Sequence, residues 1–315
     1  MEYTTLGRTG LRVGVAGLGC GGSSRLGMGH GRTAEEAAGI VRAAFDLGVN
    51  LFDTAEAYRT EEAVGLAGLP RDEIVLSTKS RIVVDQRLVG PDELLAAVDG
   101  SLKRLRTDHV DVFHLHAVPP EHYEHALELR GTLERAKAAG KIRHVGITET
   151  GPADPGHRML ERATLDPGWE VTMLAFHMLN QNAKSPVLEN TRRLGIGTFV
   201  MFAVRAIFSR PERLASALSE LADAGSIDSA DPAQLDFLIH QGGAASLIDA
   251  AYRYVRHAQG TDVILFGTGD RDHLAANIRS ITAPPLPAAD VQRLEALYGH
   301  LVGVGLDRPE GRDRS

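Results

Sequence analysis

The sequence predicts a closed (β/α)8 barrel, the TIM-barrel fold of the α/β class, with an N-terminal β-hairpin. Short apolar runs alternate with amphipathic helical patterns about eight times along 315 residues, which is typical of parallel β/α units. A chain of this length suits one such barrel better than an open doubly wound sheet. Residues 19–22 (GCGG), after the first predicted strand, also lack the GxGxxG spacing of a dinucleotide-binding Rossmann fold.

The individual elements follow from local patterns, taken in chain order. Residues 3–14 place turn-forming glycines between short apolar pieces and predict the hairpin. The first predicted helix begins with Thr33, followed by Glu36 in a capping-box arrangement, and ends at Gly48. Helices are predicted over 33–48, 91–106 and 123–140, and barrel strands over 15–20, 49–53, 73–78, 109–115, 142–148, 170–176, 197–202 and 262–267.

One domain, residues 1–304, accounts for all of these elements. Residues 203–245 contain several glycines and a proline and are long for a barrel loop, which indicates an irregular flap over the site. We expect the charged segment 305–315 to form a disordered tail.

Composition narrows the class of protein. The chain has 34 basic and 41 acidic side chains, a formal net charge of −7, which argues against a nucleic-acid or anionic-membrane partner. It has no apolar run of about 18 residues and no signal-type N-terminal segment, so we expect no membrane span. The one cysteine, Cys20, excludes an internal disulfide framework and fits a reducing compartment. We therefore expect a cytoplasmic protein, either a monomer or a weak homo-oligomer.

Four ionisable residues follow three consecutive predicted strands. Asp53 ends the second strand with Tyr58 just beyond it, Lys79 follows the third strand and His116 the fourth. Because strand ends meet at one face of a barrel, we expect these side chains to converge there. A lysine ammonium stabilises a nearby phenolate, an aspartate would hold the lysine charged, and a histidine could hydrogen-bond a substrate carbonyl. This set predicts proton donation to a carbonyl oxygen, and a nicotinamide cofactor must then supply the hydride.

A zinc site is an alternative interpretation of the histidines. His114 and His116 lie two residues apart and would point to one side of a strand. Asp270 follows the eighth strand, as an acidic ligand would in a metal-dependent hydrolase. The histidine pair, however, lies on the fourth strand and not the first, so we expect no metal.

Six segments of the chain carry a family resemblance: LGRTGLRV (6–13), FDTAEAYRTEEAVG (52–65), LSTKS (76–80), DVFHLHAV (111–118), GKIRHVGIT (140–148) and VILFGTGDRDHLAANI (263–278). Through them the chain resembles the aldo-keto reductases over almost its whole length. The resemblance implies Asp53, Tyr58, Lys79 and His116 as the catalytic residues, with Tyr58 as the general acid.

The resemblance also implies a cofactor, NADP(H) with NAD(H) as the alternative, bound extended across the barrel mouth. Thr148 and Glu149 stand where the family usually has Ser-Asn, Met173 stands in place of a glutamine, and Phe202 in place of a stacking tyrosine. After the eighth strand the implied cofactor positions are Gly267, Thr268, Asp270, His273 and Asn277.

The predicted function is that of an NAD(P)H-dependent oxidoreductase acting on a small molecule. It would reduce an aldehyde or ketone to an alcohol, or oxidise a hydroxyl group or sugar in reverse. The altered cofactor positions leave one alternative open, a catalytically weak or inactive barrel that binds nucleotide as a binding or regulatory protein.

Overall fold

A computed structural model of the chain describes residues 1–306, so most of the expected tail at 305–315 lies outside the described residues. The first strands are the antiparallel pair β1 (Tyr3–Thr5) and β2 (Arg12–Gly14), which confirms the predicted hairpin. The remaining strands are β3 (Ala16–Gly19), β4 (Leu51–Asp53), β5 (Val75–Arg81), β6 (Val83–Val84), β7 (Arg87–Leu88), β8 (Val110–Val118), β9 (Ile142–Glu149), β10 (Val171–Ala175), β11 (Gly197–Met201) and β12 (Val263–Phe266).

The α-helices of the described residues mostly follow barrel strands. They are α1 (Ala34–Asp46), α2 (Glu61–Leu66), α3 (Pro91–Leu105), α4 (Tyr123–Ala138), α5 (Arg158–Ala163), α6 (Val187–Leu194), α7 (Ala206–Ser209), α8 (Pro211–Asp223), α9 (Leu247–Arg256), α10 (Arg271–Ile281) and α11 (Ala288–Tyr298). The predicted capping box is present on α1, because Thr33 Oγ1 accepts from the Glu36 N–H and Glu36 Oε2 accepts from the Thr33 N–H.

Eight parallel strands close into a barrel in the neighbour order β10-β11-β12-β3-β4-β5-β8-β9, which confirms the predicted fold class. Residues alternate along each strand between the helices outside and the barrel interior. The interior is filled by apolar side chains from every side, among them Leu51, Val75, Val112, Met173, Phe199 and Val263. The interior of the barrel is therefore a packed core and not a channel.

The N-terminal hairpin closes the opposite end of the barrel. Leu6, Leu11 and Val13 are buried against the interior cluster. Asp262 joins the hairpin to the barrel, because its Oδ2 accepts from the main-chain N–H groups of Gly7 at 3.1 Å and Thr198 at 3.0 Å. With this end plugged, the mouth at the carboxyl ends of the strands is the open face.

The expectation of an irregular segment over 203–245 was wrong in part, because α7 and α8 lie within it. Leu214 and Leu218 are one helical turn apart on α8 and both are buried. Pro211 begins the helix at a position where its missing N–H costs nothing. The role of this segment as a flap stays a prediction.

No helix among residues 1–306 is long and apolar enough to cross a membrane. The cytoplasmic location, the oligomeric state and the extent of the domain over 1–304 stay predictions.

Candidate active site

The ends of β4 and β5 bring Asp53 and Lys79 together at the barrel mouth. Lys79 Nζ lies 2.6 Å from Asp53 Oδ2 and donates to the main-chain oxygen of Thr54 at 2.8 Å. The Ser77 hydroxyl donates to the other Asp53 oxygen at 2.8 Å. Lys79 is fully buried and the Asp53 side chain is 4% exposed, so the pair is held in a fixed orientation.

The charge of Lys79 is set by its neighbours. Burial alone would lower the pKa of Lys79, but the charge of Asp53 and its hydrogen bond outweigh this and raise the pKa above its ordinary value. Lys79 is therefore an ammonium ion at neutral pH, buried beside Tyr58.

Tyr58 lies over this ammonium group. It ends a 3₁₀ turn, Glu56–Tyr58, and the centroid of its ring is 5.0 Å from Lys79 Nζ. The ring also packs on Gly21, where a Cβ atom would come within 2.6 Å of Tyr58 Cε2. The absence of a side chain at residue 21 therefore makes room for the phenol.

The turn that carries Tyr58 is fastened to the outer face of β5. Ser80, the neighbour of Lys79, donates from its hydroxyl to Glu56 Oε2 at 2.7 Å. Arg104 of α3 lies 3.8 Å from the other Glu56 oxygen. One strand thus fixes the turn from two sides, through Lys79 inside the barrel and Ser80 outside it.

His116 completes the set from β8. Its ring is edge-on to that of Tyr58, with centroids 5.5 Å apart and planes at 90°, and it is 8% exposed. The pairing of β8 with β9 slips between Leu115 and Val118, so His116 lies in a bulge. The structure therefore brings together all four residues that the sequence predicted at one mouth.

His114 points into the barrel beside Lys79, its partner in the strand register. Its ring packs against the Cα atom of Gly146, where a Cβ would lie 2.2 Å from Nδ1, and 5.6 Å from the ring of Phe199. Burial, together with the Lys79 charge, lowers the pKa of His114 well below its ordinary value, so the imidazole is neutral. Residues 1–306 contain no group of three His, Cys, Asp or Glu side chains that could hold a metal.

Glu149 and Met173, which were expected to contact the nicotinamide carboxamide, are both engaged within the protein. Glu149 is buried, with Oε2 2.7 Å from His157 Nδ1 and Oε1 accepting from the Ala175 N–H at 2.6 Å. Burial alone would lower the pKa of His157, but Glu149 outweighs this and raises it. Met173 lies in the apolar interior cluster. Both carboxylate oxygens of Glu149 are therefore already engaged within the protein.

Thr148 and Phe202 lie nearer to the mouth. The Thr148 hydroxyl accepts from the Ala117 N–H at 2.7 Å and keeps its own proton for donation. Phe202 follows β11 with a left-handed backbone (φ 68°) and is half-buried. The guanidinium of Arg205 lies 4.2 Å from the centroid of its ring.

The positions after β12 form the start of α10. Asp270 caps this helix by accepting from the N–H groups of Asp272 and His273, and its own N–H donates to Thr268 Oγ1 at 3.0 Å. Gly267 lies against the end of β3, since a Cβ there would be 3.0 Å from the Gly19 main-chain oxygen. His273 is exposed on α10 and Asn277 is half-buried one turn later.

These surroundings fit a nicotinamide cofactor in part. Phe202 offers an aromatic face, Thr148 offers a hydroxyl proton, and the glycine loops pack closely beside α10. At Gly269, for example, a Cβ would lie 2.5 Å from the Gly27 nitrogen. This contact fixes the two loops against each other at the edge of the mouth. Glu149 and Met173 offer no free hydrogen-bonding group, so the fit rests on the other positions.

Three residues at the site were not found from sequence alone. Ser77 lies two residues before Lys79, so strand alternation could have placed both on the inner face. Gly21 carried only the weak signal of a glycine-rich stretch. The left-handed Ala117 (φ 52°) had no signal in the sequence, because alanine rarely adopts this conformation.

A comparison with protein-family models finds one described as the aldo/keto reductase family, which matches residues 18–299. Among curated proteins, L-galactose dehydrogenase of Arabidopsis thaliana is 30% identical over 208 residues, covering 62% of this chain and 63% of the relative. L-glyceraldehyde 3-phosphate reductase of Escherichia coli K12 is 30% identical over 220 residues, covering 62% of this chain and 60% of the relative. The match thus spans about three fifths of each relative's length.

Solved structures match the fold over the whole chain. The aldo-keto reductase AKR11C1 from Bacillus halodurans, in its holo form, superimposes with a TM-score of 0.71 at 20% sequence identity, covering 100% of both chains. At this identity the likeness concerns the barrel and its connections.

Proposed function

Because this chain belongs to the aldo/keto reductase family, we propose that it is an NAD(P)H-dependent oxidoreductase that reduces an aldehyde or ketone to an alcohol. The reverse oxidation of a hydroxyl group or sugar uses the same groups. One observation carries the proposal, the buried Asp53–Lys79 ion pair lying 5.0 Å beneath the ring of Tyr58.

The proposed chemistry assigns one task to each of the four side chains. Tyr58 donates its hydroxyl proton to the substrate oxygen as charge develops there, and the Lys79 ammonium stabilises the phenolate that remains. Asp53 keeps Lys79 charged and oriented. His116 hydrogen-bonds the same substrate oxygen and fixes its position. The bound reduced nicotinamide supplies the hydride.

The cofactor would be held by residues of the mouth. We assign the nicotinamide ring to the face of Phe202 and its carboxamide to the Thr148 hydroxyl. The adenosine end falls to Gly267, Thr268, Asp270, His273 and Asn277. NADP(H) is the proposed cofactor, with two exposed arginines beside these positions, Arg271 at the start of α10 and Arg32, which donates to the Gly269 oxygen. Titration with NADPH and NADH, followed by nicotinamide fluorescence, tests this preference, and tighter binding of NADH would contradict it.

The substrate class proposed is a small hydroxylated aldehyde or sugar. The curated relatives are named for L-galactose and L-glyceraldehyde 3-phosphate, both of which carry hydroxyl groups next to the reacting carbon. A panel of short hydroxyaldehydes, aldoses and simple aliphatic aldehydes, assayed with both cofactors, tests this class. Faster reduction of the aliphatic aldehydes would contradict it.

The test of the general acid is Tyr58→Phe, which removes only the phenolic oxygen. We expect kcat to fall by about 10²–10⁴, because the variant loses the hydroxyl assigned to protonate the substrate oxygen. The dissociation constant of NADPH should change little, since the ring remains. Stopped-flow reduction and fluorescence titration measure the two quantities separately.

Tyr3→Phe is the matched control. It also removes a phenolic hydroxyl, one that donates to the Gly48 oxygen at 2.9 Å on the hairpin side of the barrel, so kcat should not change. If Tyr58→Phe reduces aldehydes as fast as the parent chain, the role given to Tyr58 is wrong. If the parent binds NADPH and turns over none of the panel, the alternative of a non-catalytic nucleotide-binding barrel is favoured.

A further inference from the structure

The strand that carries His116 is irregular at that residue. Two residues of β8, His116 and Ala117, stand opposite a single position of β9, between the paired residues Leu115–Ile147 and Val118–Glu149. Such a bulge re-aims the side chain that it contains. In a regular strand His114 and His116 would point to the same side. The bulge changes the direction of the His116 side chain, and so sets the orientation of its imidazole relative to Tyr58.

The bulge requires an unfavourable backbone at Ala117. Its φ of 52° lies in the left-handed region, where a Cβ atom crowds the following carbonyl and glycine is usually found. The N–H of Ala117 also leaves the regular ladder of β8. Some interaction must therefore compensate for the conformation and satisfy this donor.

Thr148 supplies that interaction. Its Oγ1 accepts from the Ala117 N–H at 2.7 Å, and the side chain is buried, with Thr148 only 1% exposed. Thr148 lies on β9 directly opposite the bulge, one residue before the Glu149 that pairs with Val118. No water need enter to satisfy the donor, because the hydroxyl lies inside the barrel wall.

We propose that Thr148 is a positioning residue for His116: by accepting the Ala117 N–H, its hydroxyl holds the bulge of β8 in the form that sets the imidazole edge-on to Tyr58. This task is distinct from the donation to a carboxamide assigned above, because it uses the lone pairs of the oxygen and not its proton. The expected effect on kcat rests on the proposed function. The expected effect on the bulge of β8 rests on the geometry alone.

The principal test is Thr148→Val, which keeps the shape of the side chain and removes the acceptor. We expect kcat to fall tenfold or more, because a displaced donor at the substrate oxygen loses most of its effect. Thr148→Ser, which keeps the hydroxyl, should restore most of that loss. Thr172→Val on the neighbouring β10 is the matched control, because Thr172 is equally buried and bonds the Ile147 oxygen at 3.4 Å; its kcat should equal that of the parent.

A double-mutant cycle with His116→Ala separates positioning from other damage. If Thr148 acts through His116, adding Thr148→Val to His116→Ala should lower kcat at saturating NADPH by less than twofold further, and the lost carboxamide hydrogen bond should instead raise the dissociation constant of NADPH. A full, independent loss in the cycle would overturn the proposal, as would an unchanged kcat in Thr148→Val. Should the valine variant fail to fold, Thr148→Cys serves in its place, because a thiol is a weaker acceptor of similar size.

A structural measurement distinguishes failure of this proposal from failure of the proposed function. Amide hydrogen exchange of Ala117 should be at least tenfold faster in Thr148→Val than in the parent and unchanged in Thr172→Val, whether or not the chain reduces any aldehyde. Protection of the Ala117 amide that survives the loss of the hydroxyl would refute the positioning role by itself. A parent chain without turnover would instead refute only the assigned reaction.

Discussion

At the scale of the residue, Gly21 sets where the proposed general acid can lie. A Cβ atom there would come within 2.6 Å of the Tyr58 ring, closer than van der Waals contact allows. We predict that Gly21→Ala lowers kcat at least tenfold, because the ring must move off Lys79 and proton donation depends on its position. Steady-state kinetics with a saturating aldehyde measures the effect.

Gly19→Ala is the control for this prediction, since the same methyl group would meet its nearest neighbour, the Phe266 oxygen, at 3.5 Å. This is ordinary contact, so kcat should be retained. Equal losses of kcat in the two variants would mean that any methyl group added near the end of β3 disturbs the site. The specific role given to Gly21 would then be refuted.

Single residues also mark the limit of what the sequence could predict. The expectation that Asp53, Lys79 and His116 converge at one mouth rests on parallel strands ending on one face. The structure brings the three together, although β5 and β8 continue past Lys79 and His116. Glu149 was assigned to the cofactor from its place in a motif alone. Its ion pair with His157, a residue on the loop before α5 with left-handed backbone, depends on tertiary packing that no local pattern encodes.

At the scale of the element, the Glu56–Tyr58 turn depends on β5 for its position. The Ser80 hydroxyl is its fastening on the outer face. We predict that Ser80→Ala lowers kcat about threefold to tenfold and the free energy of unfolding by about 1 kcal/mol, the usual net contribution of one hydrogen bond. Kinetics and urea unfolding of the same preparation measure both.

Ser101→Ala on α3 is the control, because the Ser101 hydroxyl is buried and accepts from the same Arg104 at 3.3 Å. It should lower stability by a similar amount and leave kcat unchanged. A loss of stability in Ser80→Ala without any loss of kcat would show that the turn keeps Tyr58 in place without β5.

Helices and strands could be predicted where the spacing of apolar residues matched one type of secondary structure. The capping box of α1 and the buried strands β8 and β9 gave clear local signals, and their bounds agree with the structure within a few residues. The sequence does not predict helix α8, because the residues that follow it, Gly225, Pro232, Gly242 and Gly243, indicate a loop. The bulge at Ala117 could not be predicted, because its cause is a hydroxyl on the next strand.

At the scale of the whole molecule, Asp262 couples stability to pH. Burial raises its pKa to about 6, although the N–H groups of Thr198 and Gly7 partly oppose this. The folded chain therefore holds this proton more tightly than the unfolded chain, where a free aspartate titrates near pH 4. The stability contributed by protonated Asp262 is full below about pH 4 and is lost as pH rises through about 6.

We predict that Asp262→Asn abolishes this part of the pH dependence. Between pH 4 and pH 7 the free energy of unfolding of the parent should fall by up to about 3 kcal/mol more than that of the variant. Urea unfolding at several pH values between 4 and 7 measures the difference. Asp270→Asn is the control: main-chain hydrogen bonds lower the pKa of Asp270, so the pH dependence that Asp270 contributes lies below about pH 4 and the profile of this variant between pH 4 and 7 should parallel that of the parent. Parallel pH profiles for parent and Asp262→Asn would contradict the prediction.

The overall fold was the most predictable property. Eight repeats of one buried strand and one amphipathic helix have few ways to bury both faces of every strand, and a closed barrel is one that satisfies all of them. The plug formed by Leu6, Leu11 and Val13 was less accessible to prediction, because a hairpin pattern does not reveal which end of the barrel it covers.

Cys20 makes the chain its own reporter of opening. It is the one thiol in the sequence, it is fully buried, and its main-chain N–H donates to the Asp53 oxygen at 2.8 Å. Burial also raises the pKa of the thiol, so a disulfide reagent can label it only after a local opening exposes the sulfur. The rate of labelling therefore reports this opening without any engineered probe, and a nucleotide that closes the mouth should slow it.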